Sequence, residues 1–119
     1  MNSKGLVLVT GASTGIGREI SRKLCHENYE VILASRSTEK LQKLKKEFSE
    51  NGYLFHLIKC DISIEKDVKN LYRKSTEIGF VSCIINNAGI GKFSSIDKIS
   101  VKDWDDQINI NLRGSFLVT

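Results

Sequence analysis

The chain has 119 residues, 40% of them hydrophobic and 27% charged, the composition of one globular domain with an ordinary core. No apolar run approaches the roughly 18 residues of a membrane span, and the first five residues lead into an apolar segment too short for a secretory leader, so no membrane contact is expected. The net charge of +4 comes largely from Lys40, Lys43, Lys45 and Lys46 on one helix, a solvated face and not a nucleic-acid patch. Three widely spaced cysteines, Cys25, Cys60 and Cys83, exclude a disulfide framework and a metal site, and a reduced, cytoplasmic protein is expected.

In chain order the pattern alternates. The apolar run Leu6–Thr10 predicts a strand, and Ile16, Ile20 and Leu24 recur as the inner face of a helix over about 15–28. Glu30–Ser35 predicts a second strand. A helix over about 38–51 follows, with apolar Leu41, Leu44 and Phe48, a Glu39–Lys43 surface pair, and Gly52 as its stop. A third strand spans about 54–59. Ser63 is expected to cap a helix whose inner face is Val68, Leu71, Ser75 and Ile78 and which ends at Gly79. Val81–Ile85 is almost wholly apolar, as a strand covered on both faces would be. After a loop, Ser100-Val101-Lys102-Asp103 resembles a capping box with Asp in place of Glu, and Trp104, Ile108 and Leu112 mark a last helix running to the end.

Strict β–α alternation without prolines, repeats or linkers predicts a single α/β domain over 1–119. The expected architecture is a doubly wound parallel sheet of Rossmann type with strand order 3-2-1-4.

The stretch Thr10-Gly11-Ala12-Ser13-Thr14-Gly15-Ile16-Gly17 lies between the first strand and its helix. The first N–H groups of a helix point into such a turn, where the helix dipole places partial positive charge. Gly11 permits the tight turn, Gly15 lets backbone approach a phosphate, and Gly17 lets the helix pack on its strand. The same glycines also suit a tight turn with no ligand. About 20 residues on, where a dinucleotide fold reads the adenosine ribose, stands Ser35-Arg36-Ser37, with no acidic residue before Glu39. Arg36 is suited to a bidentate grip on a 2′-phosphate with the Ser35 and Ser37 hydroxyls assisting; the alternative is an Arg exposed in a loop. Asp61 either accepts from an adenine amino group, with Ile62 over the ring, or shapes the turn before Ser63. Asn86-Asn87-Ala88-Gly89 ends the fourth strand with two amides and two small residues that let backbone near a ligand.

Together with Asn111-Leu112-Arg113-Gly114, these motifs in this order and spacing resemble the N-terminal portion of the short-chain dehydrogenase/reductase family, over essentially the whole chain. The three-residue gap between Gly11 and Gly15 resembles the short-subunit branch. The resemblance implies that Gly11, Ser13 and Ile16 line a pyrophosphate and that Asp61 and Ile62 line the adenine. It implies that Asn87, with Ala88 and Gly89, holds a ribose, while Asn86 ties the sheet. Arg36 matches the position that selects NADP over NAD, and Asn111 matches the catalytic asparagine that helps hold a proton-relaying water. The expected activity is hydride transfer between NADP(H) and a small-molecule carbonyl or alcohol.

The family's Ser and Tyr-x-x-x-Lys do not occur in these residues. Tyr29, Tyr53 and Tyr72 all precede the expected position, and none has Lys four residues on. A truncated cofactor half is therefore expected, inactive alone, with a non-catalytic dinucleotide-binding module as the alternative. An unpaired fourth strand would favour self-association.

Overall fold

The computed structural model describes residues 2–119. Four strands, β1 (Leu6–Thr10), β2 (Glu30–Ser35), β3 (Phe55–Lys59) and β4 (Val81–Ile85), alternate with α1 (Gly15–His26), α2 (Thr38–Glu50) and α3 (Glu65–Ile78). A final helical stretch comprises α4 (Val101–Gln107), a π-helical segment (Ile108–Gly114) and α5 (Ser115–Val118). The sheet is parallel throughout, in the order β3-β2-β1-β4 that the sequence predicts.

Alternation along the central strands splits the core between the two faces. Val7, Val9, Val31 and Leu33 point toward α1 and α2, where Leu41, Leu44 and Phe48 cover them. Leu6, Leu8, Ile32 and Ala34 point toward α3, meeting Val68 and Leu71, with Ile110 of the π-helical segment closing the end. Phe48 anchors the first layer by edge-to-face contacts with Tyr53 and Phe55 at 5.3 and 5.5 Å.

Helix α1 departs from its expected face. Its fully buried line is Gly17, Ser21 and Cys25, flanked by Ile20 and Leu24, whereas Ile16 is 73% exposed. Small residues four apart bring the helix close to the sheet, and Ser21 satisfies its hydroxyl by donating to the Gly17 carbonyl at 2.7 Å. Helix α1 ends at His26, short of the Asn28 expected, and Asn28 turns the chain away with a φ of 68° in the left-handed region.

Two further expectations are corrected. Ser63 does not cap α3: its hydroxyl donates to Asp61 Oδ1 at 2.6 Å, and Ile64 occupies the cap position. The last helix does not face inward through Trp104, Ile108 and Leu112. Trp104 and Leu112 are 55% and 65% exposed, while Ile110 and Gly114 are buried and Leu117 and Val118 pack on the core. The wide π-helical turn shifts the phase that a spacing of four assumes. Ser100 does cap α4, accepting from the Asp103 N–H at 3.0 Å.

Strand β4 reads as a doubly covered strand but is not one. It is one of the two outer strands, paired only with β1 among the described residues, and its Ser82, Cys83 and Ile84 are exposed. Beside it, between α3 and α5, runs a mostly apolar groove of about 610 Å³, in which the buried Ser75 hydroxyl has no hydrogen-bond partner among the described residues. No described helix is long and apolar enough to cross a membrane.

Candidate functional site

The C-terminal ends of β1, β2 and β4 open on one crevice of about 350 Å³, within the range of roughly 300–1,000 Å³ usual for ligand sites. Its floor is the glycine turn. Gly11 has φ of 60°, and a Cβ there would meet the Ala88 Cα at 2.7 Å, so only glycine fits both the backbone angle and the neighbouring loop. Gly15 also lines the crevice, with φ of 54° and nothing within 4 Å of a would-be Cβ. Gly17 lies outside the crevice, where a Cβ would collide with the Gly11 carbonyl oxygen and Asn87 Nδ2. The three glycines thus serve turn shape, open access and packing respectively.

Helix α1 begins at this floor with free donors. Its cap residue Thr14 makes no side-chain hydrogen bond, and its first turn carries no acidic residue. The other long helices differ: Ser37 caps α2, which has Glu39 in its first turn, and α3 has Glu65 and Asp67 in its first turn. The first-turn N–H groups of α1 therefore face the crevice with neither a capping oxygen nor a neighbouring carboxylate.

The crevice wall beyond β2 carries Ser35, Arg36 and Ser37, as the sequence indicates, and no Asp or Glu lines the crevice among the described residues. Ser13 and Ser35 share a hydrogen bond of 2.7 Å between their hydroxyls, bridging the glycine turn to the end of β2. Lys40 also lines the crevice, although its place in a lysine-rich run reads as solvated surface. Its signal was positional: it belongs to the first turn of α2, directly after the Arg36 loop. Thr14 and Ile16 of the glycine stretch also line it, together with Ala34, Cys60, Ile90 and Ile110, which carried no motif of their own.

On the opposite wall, the Thr10 hydroxyl accepts from the N–H groups of Asn87 and Ala88, each at 3.1 Å. Asn87 Nδ2 donates to the Thr10 and Gly11 carbonyls at 3.2 and 3.1 Å. Asn87, not Asn86, is thus the amide that ties β4 to β1, while Asn86 Nδ2 donates to Thr119 Oγ1. Asn87, Ala88 and Gly89 all line the crevice.

Ile62 lines the crevice, but Asp61 does not. Asp61 Oδ1 accepts from the Ser63 N–H and hydroxyl, and the Asp61 N–H donates to Asp67 Oδ2 at 2.9 Å, so the carboxylate shapes the turn into α3. Asn111 stands behind the site. Its Oδ1 accepts from the Ile90 N–H and its Nδ2 donates to the Ile90 carbonyl, both at 2.8 Å, fixing the loop after Gly89 from two sides. Arg113 donates to the Ser63 carbonyl at 2.9 Å, and Gly114 lies against Ile62. One π-helical segment therefore holds both the β3 and the β4 walls. The loop is pinned further out by Lys92, whose ammonium reaches Asp103 at 2.8 Å and Asp106 at 3.0 Å; the hydrogen bond from Lys92 holds the Asp103 carboxyl below the usual range, and those from Lys102 and then Lys92 do the same for Asp106.

Burial pushes the Cys60 thiol up to about 12, aided by the nearby Asp67 and Asp61 carboxylates, and Cys25 up to about 11. Cys60 is therefore an apolar, neutral part of the wall and not a nucleophile. Among the described residues the crevice is lined by no nucleophile–base pair. It offers backbone donors, two cations and small residues: a cradle for an elongated anion.

Comparison with known proteins agrees with this geometry. The family described as short chain dehydrogenase matches residues 5–119. A sepiapterin reductase of Chlorobaculum tepidum is 36% identical over an alignment covering 98% of this chain and 51% of that protein. An alcohol dehydrogenase from the archaeon Thermococcus sibiricus, solved in complex with 5-hydroxy-NADP, superposes with a TM-score of 0.90 at 31% identity, over 96% of this chain and 49% of that one. An actinorhodin polyketide ketoreductase variant solved with NADPH gives a TM-score of 0.92 at 33% identity, over 96% and 44%. The chain spans about half the length of the curated relatives it matches.

Proposed function

Because the chain belongs to the short-chain dehydrogenase family, we propose that its crevice binds NADP(H) in preference to NAD(H) and serves hydride transfer between that cofactor and a small-molecule carbonyl or alcohol. The observation that carries this reading is the pairing of the first turn of α1, which has neither a side-chain cap nor an acidic residue, with Arg36 across a crevice that no carboxylate lines among the described residues.

The residues present fit the cofactor. Gly11 and Gly15 keep side chains off the floor, and the α1 dipole with its free N–H groups favours a pyrophosphate by about 0.3–1 kcal/mol, up to about 2 when partly buried. Ile62 gives an apolar wall, and Asn87, Ala88 and Gly89 supply small and amide groups for a ribose. Arg36 offers the planar donor pair that a 2′-phosphate takes, where an NAD-selective site would carry an acid. Asn111 acts by holding Ile90, and the family resemblance assigns to it the support of a proton-relaying water. When bound, the cofactor supplies the hydride. The chain's own residues position it and hold the loops that frame it.

Titration of NADPH and NADH against the wild type and Arg36→Ala tests this. A charge-assisted pair contributes about 1.5–3 kcal/mol, so the wild type should prefer NADPH by roughly tenfold or more, and Arg36→Ala should sharply reduce that preference. An unchanged preference in the variant would remove Arg36 from the role. A second reading, dinucleotide binding without catalysis, is favoured by the absence of a Tyr-x-x-x-Lys from these residues. A general acid contributes about 10²–10⁴-fold, and a placed substrate more. The 119 residues alone are therefore expected to bind dinucleotide without turning over any member of a carbonyl panel. Turnover that Gly15→Trp abolishes would show an acid within this chain.

A further inference from the structure

The crevice holds two cations, and the sequence pattern singled out only one. Lys40 is in the first turn of α2, where its N–H donates to Ser37 Oγ at 3.3 Å, fixing its backbone beside the Arg36 loop. Its side chain lines the same crevice as Arg36, whereas Lys43 turns to Glu39 at 3.6 Å, and Lys45 and Lys46 lie elsewhere. Neither Arg36 nor Lys40 has an ion-pair partner among the described residues, and the nearest acid in sequence, Glu39, faces Lys43.

The hydroxyls expected to assist are largely committed. Ser35 is 7% exposed, bonded to Ser13 and accepting from the Ser37 N–H at 3.4 Å, while Ser37 caps α2. A phosphate monoester near neutral pH carries about −1.5 to −2 charges, more than a single guanidinium balances. Arg36 supplies a directional fork and Lys40 a mobile point charge on the same crevice, and their combined charge of +2 matches a dianion.

We propose that Lys40 is a second specificity-determining residue, closing with Arg36 on the 2′-phosphate of NADP(H). The inference rests on the dinucleotide reading of the crevice and adds to it the group that completes charge balance. Because Lys40 is exposed on a helix that Gln suits, Lys40→Gln removes the charge with little effect on the fold.

The test is calorimetric titration of the chain with adenosine 2′,5′-bisphosphate and with adenosine 5′-monophosphate, which differ only in the 2′-phosphate. Wild type should favour the bisphosphate. Lys40→Gln should weaken that ligand by about three- to tenfold and leave the monophosphate unchanged, and Lys40→Arg should retain most of the affinity. Equal bisphosphate affinity in wild type and Lys40→Gln overturns the role of Lys40 while leaving the dinucleotide reading intact. Equal losses for both ligands also overturn it, since Lys40 would then act on the fold. A wild type that binds neither ligand overturns the dinucleotide reading and this inference with it.

Discussion

At the scale of single residues, glycines that look alike in the motif have opposite physical jobs. Gly15→Ala meets no atom but must hold φ near 54°, a strain of about 1–2 kcal/mol, and it narrows the crevice. Gly17→Ala drives a methyl into the Gly11 carbonyl and Asn87 Nδ2, an overpacking cost of about 1–3 kcal/mol that also disturbs the β1–β4 tie. Thermal melts beside NADPH titrations should separate them: Gly15→Ala losing mainly affinity, Gly17→Ala mainly melting temperature. Equal loss of stability in both would contradict these assignments. The buried thiols give a second expectation. Cys25 and Cys60 have folded pKa values raised from about 9 to about 11 and about 12, so their contribution is complete below pH 9. Above that, the unfolded chain releases thiol protons that the folded chain keeps, and stability falls as pH rises toward 11–12. Urea midpoints at pH 8 and pH 10.5 should differ less in Cys25→Ala/Cys60→Ala than in wild type. At neutral pH an alkylating reagent should modify exposed Cys83 and spare the other two.

At the scale of elements, the sheet order and the four strands follow from apolar runs separated by helical periodicity, and three strands match residue for residue. The glycine turn was equally legible, because a backbone requirement leaves a residue-type signature. What the sequence hid depends on partners distant along the chain. Ser63 has the composition of a cap, but Asp61 draws its hydroxyl away; Ile16 has the spacing of a core residue, but small side chains at Gly17 and Ser21 turn the helix so that it faces the crevice. The Asn111 clamp on Ile90 spans 21 positions and is likewise invisible to spacing. Asn111→Leu would leave both Ile90 backbone groups to water while Ile110 and Gly114 stay packed. Amide exchange at Gly89–Gly91 should speed several-fold without a change in exchange of β1 and β2. Unaltered exchange there would mean that Lys92 and its two aspartates suffice to hold the loop.

At the scale of the whole molecule, the described chain is extended, with axes of 55, 25 and 21 Å and a radius of gyration of 15.1 Å, against about 13.5 Å for a compact chain of this length. In this extended chain α4 buries no residue and β4 bares one backbone edge. Phe80, 88% exposed, adds to the apolar lining of the β4 groove. Such an edge beside an apolar groove is a template for another chain. These 119 residues, purified alone, are expected to associate in a concentration-dependent way, read by sedimentation velocity. A monodisperse monomer with one cooperative melt would refute this.

The π-helical segment has a consequence for tolerance of insertions and deletions. A π turn holds one residue more than the α-helix it interrupts, so that stretch carries slack in chain length. Removing Leu112, whose side chain is exposed, would let the segment close as α-helix while Leu117 and Val118 keep their side toward the core. Removing Tyr72, equally exposed but inside the regular α3, would swing Ser75 and Ile78 by about 100° out of their layer. Two single-residue deletions of similar exposure should thus differ sharply, the first leaving a folded chain with a lowered melt and the second leaving none.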